Sequence, residues 1–312
     1  MRPLFISLIS FVLIATLASG FNSWRVSFGA KGEVKEVAET KQEEFVIKPQ
    51  LAENATFPIV SAQAMVAEDI DTGTLLYEKN PEGAFLPAST TKILTALVAM
   101  DYYPKDTILE VKDPRVEGQK MGLVAGEKIR AEDLFYGLLV YSANDAAEVL
   151  AQNFPGGRDV FVIAMNLKAR ELGLTNSTFT NPTGLDTNGD KVYSTAKDLI
   201  KISKFAMQDS QFAKIVGTRQ VTVKSLDGKV THRLVNINEL LGTVDGVLGV
   251  KTGWTESARE NLVTYVVRGD KKVMIALLGS QDRFGETREL IDWIFANYSW
   301  VKVPANYSSS PP

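Results

Sequence analysis

Apolar residues recur at every second position near both ends of the chain and at every third or fourth position between them. The first spacing is typical of strands with one buried face, and the second is typical of amphipathic helices. The predicted strands cover residues 62–70, 75–79, 220–224, 229–233, 249–254, 261–268 and 273–280. The predicted helices lie within residues 87–100, 132–153, 158–172, 194–208 and 285–298, and residues 176–190 read as a loop.

Strands at both ends and helices in the middle indicate an α/β (α+β) domain. We expect the two chain ends to build one antiparallel sheet, flanked by helices, with a helical subdomain inserted between its strands. The domain is expected over residues 59–300. An active site would then lie between the sheet and the helical part.

The first 21 residues have a different character. Arg2 precedes an almost wholly apolar run over residues 4–21, which is typical of exported proteins. The run is close to the length of about 20 residues that a bilayer requires, so a signal peptide and an N-terminal membrane anchor both stay open. Residues 22–58 mix acidic and basic side chains and are predicted to form a flexible charged linker, and residues 301–312 a disordered tail.

Composition removes several classes of chemistry. The chain of 312 residues carries a net charge of −3 and has no basic patch of the kind that binds nucleic acid. The absence of cysteine excludes disulfides, thiolate catalysis and cysteine-ligated zinc. The single histidine, His232, has no G-x-S-x-G serine to partner it. A lysine is therefore the more plausible base for a serine nucleophile.

One serine and one lysine, Ser89 and Lys92, stand three residues apart at the start of an apolar helical run. In a helix they lie one turn apart on the same face. A serine hydroxyl needs a neighbouring base to act as a nucleophile, and a lysine can be that base when burial or a second cation lowers its pKa. Helix capping is the alternative reading, and a second such pair, Ser194 and Lys197, fits it.

Two further motifs follow Ser89 in the sequence. The first of them lies before Ser194, so only Ser89 is followed by both. Ser142 and Asn144 form an S-x-N at a predicted break between two helices, and Lys251-Thr252-Gly253 lies in a predicted strand. Ser142 could relay a proton to a leaving nitrogen, and Asn144 could orient Lys92 or bind a substrate amide. The three motifs in this order are far more specific than any one of them, and they are typical of class A β-lactamases and penicillin-binding proteins.

The third motif offers a cation, a hydroxyl and a residue without a side chain. Lys251 can hold an anionic substrate group or polarise Ser142, and Gly253 allows another main chain to approach, as strand addition requires. On a flat strand Lys251 and Thr252 face opposite ways, so both reach a cleft only where the strand is twisted or lies at an edge. A turn end is the alternative reading of this motif.

Taken together, the chain resembles the serine-type D-alanyl-D-alanine carboxypeptidases, which are low-molecular-weight penicillin-binding proteins with a β-lactamase/transpeptidase-like fold. The resemblance covers about residues 60–300. The similar segments are residues 87–92, 137–146, 169–174, 181–186, 245–255 and 290–298. Ala143 and Arg259 stand where the family usually has glycine. The family often adds a β-rich second domain and a C-terminal anchor, and here membrane attachment is expected through residues 4–21.

The resemblance implies acyl transfer without a metal or a cofactor. Ser89 would attack the carbonyl of the D-Ala-D-Ala end of a peptidoglycan pentapeptide, and Lys92 would take its proton. The terminal D-Ala would leave, and water would hydrolyse the acyl-enzyme. β-Lactam antibiotics would be covalent inhibitors. Such chemistry on the cell wall places the protein outside the cytoplasm, in the periplasm or its equivalent.

The resemblance also assigns roles at the site. Ser89 and Lys92 would act with Ser142 and Asn144 as the catalytic set. The N–H groups of Ser89 and Trp254 would hold the oxyanion. The expected substrate-binding residues are Lys251, Thr252, Gly253, Trp254 and Arg259. Arg259 would either add a contact to a carboxylate or narrow the cleft.

Three other functions compete with this one. A D-Ala cross-link endopeptidase is the nearest alternative, because short relatives of this family include some. A class A-like β-lactamase would need a base for its deacylating water, for which Glu171 is the nearest candidate. A catalytically inactive peptidoglycan-binding module would form no covalent adduct with penicillin.

Overall fold

A computed structural model of the chain describes residues 45–186 and 192–304. The predicted signal or anchor segment, most of the predicted linker and residues 305–312 lie outside the described residues. None of the helices in the described part has the length and apolar character needed to span a bilayer.

The strands and helices follow the predicted order closely. The strands are β1 (Phe45–Leu51), β2 (Ala64–Asp69), β3 (Leu75–Lys79), β4 (Ile108–Glu110), β5 (Lys128–Arg130), β6 (Gln220–Lys224), β7 (Thr231–Val235), β8 (Val247–Thr255), β9 (Arg259–Arg268), β10 (Lys271–Ser280) and β11 (Tyr298–Pro304). The helices are α1 (Lys92–Tyr102), α2 (Ala131–Leu139), α3 (Asn144–Asn153), α4 (Gly157–Glu171), α5 (Ala196–Ala206), α6 (Ser210–Val216) and α7 (Arg283–Asn297).

Both ends of the domain contribute to one five-stranded sheet, in the order β3-β2-β10-β9-β8. Every neighbouring pair in it is antiparallel. The prediction of an antiparallel sheet built from both chain ends, with helices around it, is therefore confirmed. The strand β8, which carries the Lys251-Thr252-Gly253 motif, is at the edge of the sheet.

The sheet separates two hydrophobic cores, and strand alternation decides which residue enters which. Ala64 and Val66 of β2 lie in the core shared with the helical part, whereas Met65 and Ala67 lie in the core beneath α7. Successive residues of a strand point to opposite faces, and both faces of each central strand are buried. These strands therefore have continuous apolar runs in the sequence.

Helix α1 lies inside the larger core. Each of its residues from Lys92 to Ala99 is buried. A helix that is apolar on all sides is stable only when other elements surround it. The amine of Lys92 is consequently carried into the interior by the packing of its neighbours.

The structure corrects the two predicted flexible ends. The linker prediction is wrong for residues 45–51, which form β1, and the tail prediction is wrong for residues 301–304, which belong to β11. The two strands pair antiparallel from Phe45 with Pro304 to Leu51 with Tyr298. The sequence did not predict this ribbon because its two segments carry mixed charge and lie far apart in the chain. One face of the ribbon also stays in solvent.

Side chains fasten the ribbon and the segment after it to the domain. Trp300 donates its Nε1–H to Asp69 at 2.8 Å, and the Tyr298 hydroxyl donates to the Leu76 carbonyl at 2.8 Å. Trp293 of α7 donates to the Thr56 carbonyl at 2.7 Å. Residues of the predicted linker thus pack against the last helix.

Glu286 joins the start of the domain to its end, and we expect Glu286→Ala to lower the free energy of unfolding. Its carboxylate accepts hydrogen bonds from the main-chain N–H of Ser61, from that of Ala62 at 3.2 Å and from the Ser280 hydroxyl at 2.6 Å. Hydrogen bonds to charged groups are worth about 1.5–3 kcal/mol, and partial exposure reduces the expected loss to about 1–3 kcal/mol. Urea denaturation measures it.

The matched control for this change is Glu289→Ala on the exposed side of the same helix. It removes a carboxylate of equal charge without removing these bonds, so its effect should stay within about 0.5 kcal/mol. Equal losses in the two variants would contradict the assignment of the stabilisation to the bonds of Glu286.

Candidate active site

The serine of the first motif lies on a tight turn at the start of the buried helix. A 3₁₀ turn over Ala88–Thr91 leads directly into α1, and Ala88 has a positive φ of 47°. The turn places the Ser89 Oγ 2.8 Å from the Lys92 Nζ. The hydroxyl and the amine are therefore within hydrogen-bond distance, as the spacing of the motif predicts.

The amine of Lys92 is fully buried. Besides Ser89, its partner is the main-chain carbonyl of Thr183, which accepts a hydrogen bond at 2.8 Å. Burial lowers the pKa of Lys92 to about 7, and the negative charges of Glu148 and Asp145 partly oppose this shift. A neutral amine here can donate to Thr183 and accept the proton of the Ser89 hydroxyl with its lone pair.

A loop over residues 181–186 supplies that carbonyl. The Asn181 Oδ1 accepts hydrogen bonds from the main-chain N–H groups of Thr183 and Gly184, which fixes the turn. At Gly184 an added Cβ would lie 2.0 Å from the Ala88 carbonyl oxygen. The loop therefore contacts the serine turn main chain to main chain, and a side chain at this position would separate them.

Ser142 occupies the break between α2 and α3, as predicted. It has a positive φ of 61°, and the following N–H, that of Ala143, donates to the Gly137 carbonyl at 2.9 Å. This conformation is uncommon for a residue with a side chain. The Ser142 Oγ lies 2.8 Å from the Lys251 Nζ, so the second and third motifs meet.

The amine of Lys251 is the second buried lysine amine of the site. It donates to the Thr252 carbonyl at 2.9 Å. Burial lowers the pKa of Lys251 well below its ordinary value, and the positive charges of Lys92 and Arg283 lower it further. Burial therefore disfavours the charged form of the amine at both positions.

Strand β8 lies directly against the serine turn. A Cβ added at Gly253 would lie 2.9 Å from the Pro87 carbonyl oxygen and 3.1 Å from the N atoms of Ser89 and Thr90. The absence of a side chain at Gly253 thus brings the Ser89 N–H and the edge strand together. Trp254, which follows, has 60% of its surface exposed.

Asn144 projects from the first turn of α3. Its Nδ2 donates to the Glu117 carbonyl at 2.7 Å, whereas its buried Oδ1 has no hydrogen-bond partner among the described residues. The partners of Lys92 named above are Ser89 and Thr183. Of the two roles predicted for Asn144, the geometry favours binding of a substrate amide over orientation of Lys92.

Two residues of the site escaped the sequence analysis. Arg283, the first residue of α7, donates from Nη1 to the Gly253 carbonyl at 3.1 Å. Asn261 donates to the Leu86 carbonyl at 2.9 Å and accepts from the Gly279 N–H at 2.8 Å, which ties the serine turn to the sheet. Neither side chain belongs to the three motifs: strand pairing brings Asn261 here, and the position of α7 brings Arg283.

Two residues considered in the alternatives lie in ordinary surroundings. Glu171 is exposed at the end of α4 and pairs with Lys168 at 3.3 Å. Lys197, of the second S-x-x-K, forms an exposed ion pair with Glu82 at 2.6 Å.

Arg259 has an exposed side chain and a positive φ of 58° at the turn between β8 and β9.

Comparison with known proteins agrees with this arrangement. The family model for D-alanyl-D-alanine carboxypeptidases, peptidase family S11, matches residues 51–282. The chain is 36% identical over 255 residues to D-alanyl-D-alanine carboxypeptidase DacB2 of Mycobacterium tuberculosis, covering 79% of this chain and 87% of that protein. It is 30% identical over 257 residues to a D-alanyl-D-alanine endopeptidase of Escherichia coli, covering 80% and 82%.

Solved structures give the same result. The crystal structure of the Streptomyces K15 DD-transpeptidase is similar with a TM-score of 0.72 and 31% sequence identity, covering 78% of this chain and 100% of that one. The chain belongs to the D-alanyl-D-alanine carboxypeptidase family and is a serine-type peptidase with a penicillin-binding fold.

The pKa of Lys92 leads to a prediction for the rate of acylation by penicillin. Only the neutral amine accepts a proton, so the rate should rise with pH with a midpoint near 7. Glu148→Gln removes a carboxylate that raises the pKa of Lys92, and the midpoint should move to lower pH. Stopped-flow measurement of acylation across pH gives both midpoints.

The control is Glu110→Gln on the exposed surface of β4, which should leave the midpoint in place. A midpoint that stays fixed or moves to higher pH in Glu148→Gln would contradict the assignment of this limb to Lys92.

Proposed function

We propose that the protein is a D,D-carboxypeptidase that removes the terminal D-Ala from peptidoglycan stem peptides through an acyl-enzyme on Ser89. The observation that carries the proposal is the distance of 2.8 Å between the Ser89 Oγ and a fully buried amine, that of Lys92, whose pKa is lowered to about 7. An amine in this state can take the serine proton at neutral pH.

In the first half of the reaction the Ser89 Oγ bonds to the carbonyl carbon, and its proton passes to Lys92. The tetrahedral oxyanion accepts hydrogen bonds from the N–H groups of Ser89 and Trp254, each worth about 10²–10³ in rate. The C–N bond then breaks. The proton that Lys92 took from Ser89 passes through the hydroxyl of Ser142, which is hydrogen-bonded to Lys251, to the leaving amine of D-Ala, so Lys92 is neutral again before the second half.

In the second half a water molecule attacks the ester carbon. Lys92 takes the proton of the water, and Ser89 leaves with a proton returned from the amine. The same base thus serves both halves. Products are the shortened peptide with a new carboxylate and the free enzyme.

Buried polar atoms without hydrogen-bond partners among the described residues support a placement of the peptide. The Asn144 Oδ1, the Thr252 Oγ1 and the Arg283 Nε are of this kind. We assign the amide acceptor to a substrate N–H, and Thr252 and Arg283, with Lys251, to the carboxylate of the terminal D-Ala. The free edge of β8 lets the peptide lie alongside as an added strand.

Arg259 extends this substrate surface. A residue other than glycine with a positive φ costs about 1 kcal/mol or more, and Arg259 adopts this conformation at the start of β9, where it pairs with Thr255 at the end of the edge strand β8. We assign its exposed guanidinium to a carboxylate on the part of the stem peptide that precedes D-Ala-D-Ala.

The location of the substrate sets the location of the enzyme. Peptidoglycan lies outside the cytoplasmic membrane, and the apolar run over residues 4–21 fits export. We propose that this run also attaches the protein to the membrane. Its length suits a single span.

Intact mass after penicillin treatment tests the nucleophile. Wild type should gain the mass of one antibiotic molecule, whereas Ser89→Ala should gain none and should lose D-Ala release by a factor on the order of 10⁶. The matched control is Ser194→Ala, which alters the second S-x-x-K and should label like wild type. An adduct on Ser89→Ala would show that another residue is the nucleophile.

Product analysis separates the carboxypeptidase from its nearest alternative. Free D-Ala should appear faster from a monomeric pentapeptide than monomers appear from a D-Ala cross-linked dimer. Preferential cleavage of the dimer would favour the endopeptidase, the activity named for the relatives in Escherichia coli and Pseudomonas aeruginosa.

Arg259→Gly should weaken binding of the carboxylate form of the stem peptide more than that of its amidated form.

A further inference from the structure

The single histidine of the chain is buried and takes part in none of the steps above. The side chain of His232 on β7 has 3% of its surface exposed, and that of Glu127 has 1%. The His232 Nε2 lies 2.7 Å from the Glu127 Oε1, and its Nδ1 lies 3.0 Å from the Met121 carbonyl oxygen. The other carboxylate oxygen of Glu127 accepts the Val124 N–H at 3.0 Å.

Both partners of the ring are acceptors. A main-chain carbonyl has no proton to give, so Nδ1 carries a hydrogen and donates to Met121. With a neutral ring, Nε2 would then direct its lone pair at an ionised carboxylate 2.7 Å away. The bond at Nε2 therefore needs a second hydrogen, which is carried by the ring or by the carboxyl of Glu127.

The segment that the ring holds leads to the active site. The Met121 carbonyl accepts the bond from His232, and the Met121 N–H donates to the Asp145 carboxylate at 3.0 Å. Gly122 and Leu123 donate to the same carboxylate at 2.9 and 3.1 Å. Asp145 is the second residue of α3.

The same segment holds Asn144 directly. The Gln119 carbonyl accepts the Asn144 main-chain N–H at 2.7 Å, and the Glu117 carbonyl accepts its side-chain amide at 2.7 Å. The loop over residues 117–127 is therefore fixed to the start of α3 at one end and to the His232–Glu127 pair at the other.

We infer that His232 is a positioning residue: through its bonds to Glu127 and to the Met121 carbonyl, it holds the 117–127 loop over α3 and thereby fixes the Asn144 amide in the substrate cleft. This inference rests on the proposed function for its effect on substrate. The geometry of the pair and of the loop stands independently of that function.

The other charged group that faces the pair is Asp133 on α2. Burial raises the pKa of Asp133, and the charges of Arg130 and His232 oppose that shift while Glu132 adds to it.

Two variants separate positioning from stability. Glu127→Gln keeps every bond of the pair, because the amide N–H donates to Nε2 and the amide oxygen still accepts from the Val124 N–H. His232→Gln can reach only one of the two acceptors and should free the loop. The destabilised control is Asp69→Ala, which removes the hydrogen bonds to Thr72 and Trp300 away from the site.

The experiment measures nitrogen-15 NMR of the ring and penicillin acylation in the full chain, where His232 gives the one histidine signal. We expect the ring to carry a hydrogen on Nδ1, bonded to the Met121 carbonyl, in wild type and in Glu127→Gln. Acylation should fall about tenfold or more in His232→Gln, stay above half in Glu127→Gln and be unchanged in folded Asp69→Ala.

A ring without a hydrogen on Nδ1 in wild type would overturn the inference, as would wild-type acylation by His232→Gln or an equal loss in the two loop variants. Should wild type fail to acylate, the proposed function fails. The NMR result and amide hydrogen exchange of residues 119–123, faster in His232→Gln only, would then decide the inference alone.

Discussion

The removal of two lysine amines from water is the constraint on which the active site depends. Charged ammonium groups are strongly hydrated, so their burial favours the neutral form. At Lys92 and Lys251 the fold offers mostly oxygen acceptors, namely the carbonyls of Thr183 and Thr252 and the two serine hydroxyls. A neutral amine satisfies these partners and keeps a lone pair, and this is the state that a base requires.

The rest of the site serves to hold those amines in place. A helix buried on every side carries Lys92 inward, and an edge strand without a side chain at Gly253 brings Lys251 to the same cleft. The helix break at Ser142 supplies the hydroxyl between them and the substrate. Main-chain contacts dominate these junctions, so small shifts of one segment are transmitted to the next.

Much of this could be predicted from the sequence. The central strands and long helices are stabilised by burial. The pattern of apolar residues in the sequence shows which segments are buried, as in β2 and α1. The pairs Ser89 with Lys92 and Ser142 with Lys251 were expected from the motifs, and the structure places each pair at 2.8 Å. The chemistry of these side chains follows from their residue types, which the sequence shows directly.

The remainder depends on atoms that every residue possesses. The partner of Lys92 at Thr183 is a main-chain carbonyl, and the support of Asn144 comes from carbonyls of the 117–127 loop, so no residue type indicates either. The ribbon of β1 and β11 escaped prediction because its two strands are joined only by tertiary pairing. Arg283 reached the site through the register of the sheet and the position of α7.

That ribbon also has a topological consequence. Phe45 and Pro304 are register partners, so the polypeptide enters and leaves the domain at neighbouring points. The fold is thus nearly a closed ring, and a short peptide could join the two ends while new termini are opened in the exposed turn around Asp227 and Gly228. In such a circularly permuted chain the cleft motifs would keep their places in space while their order along the backbone changed.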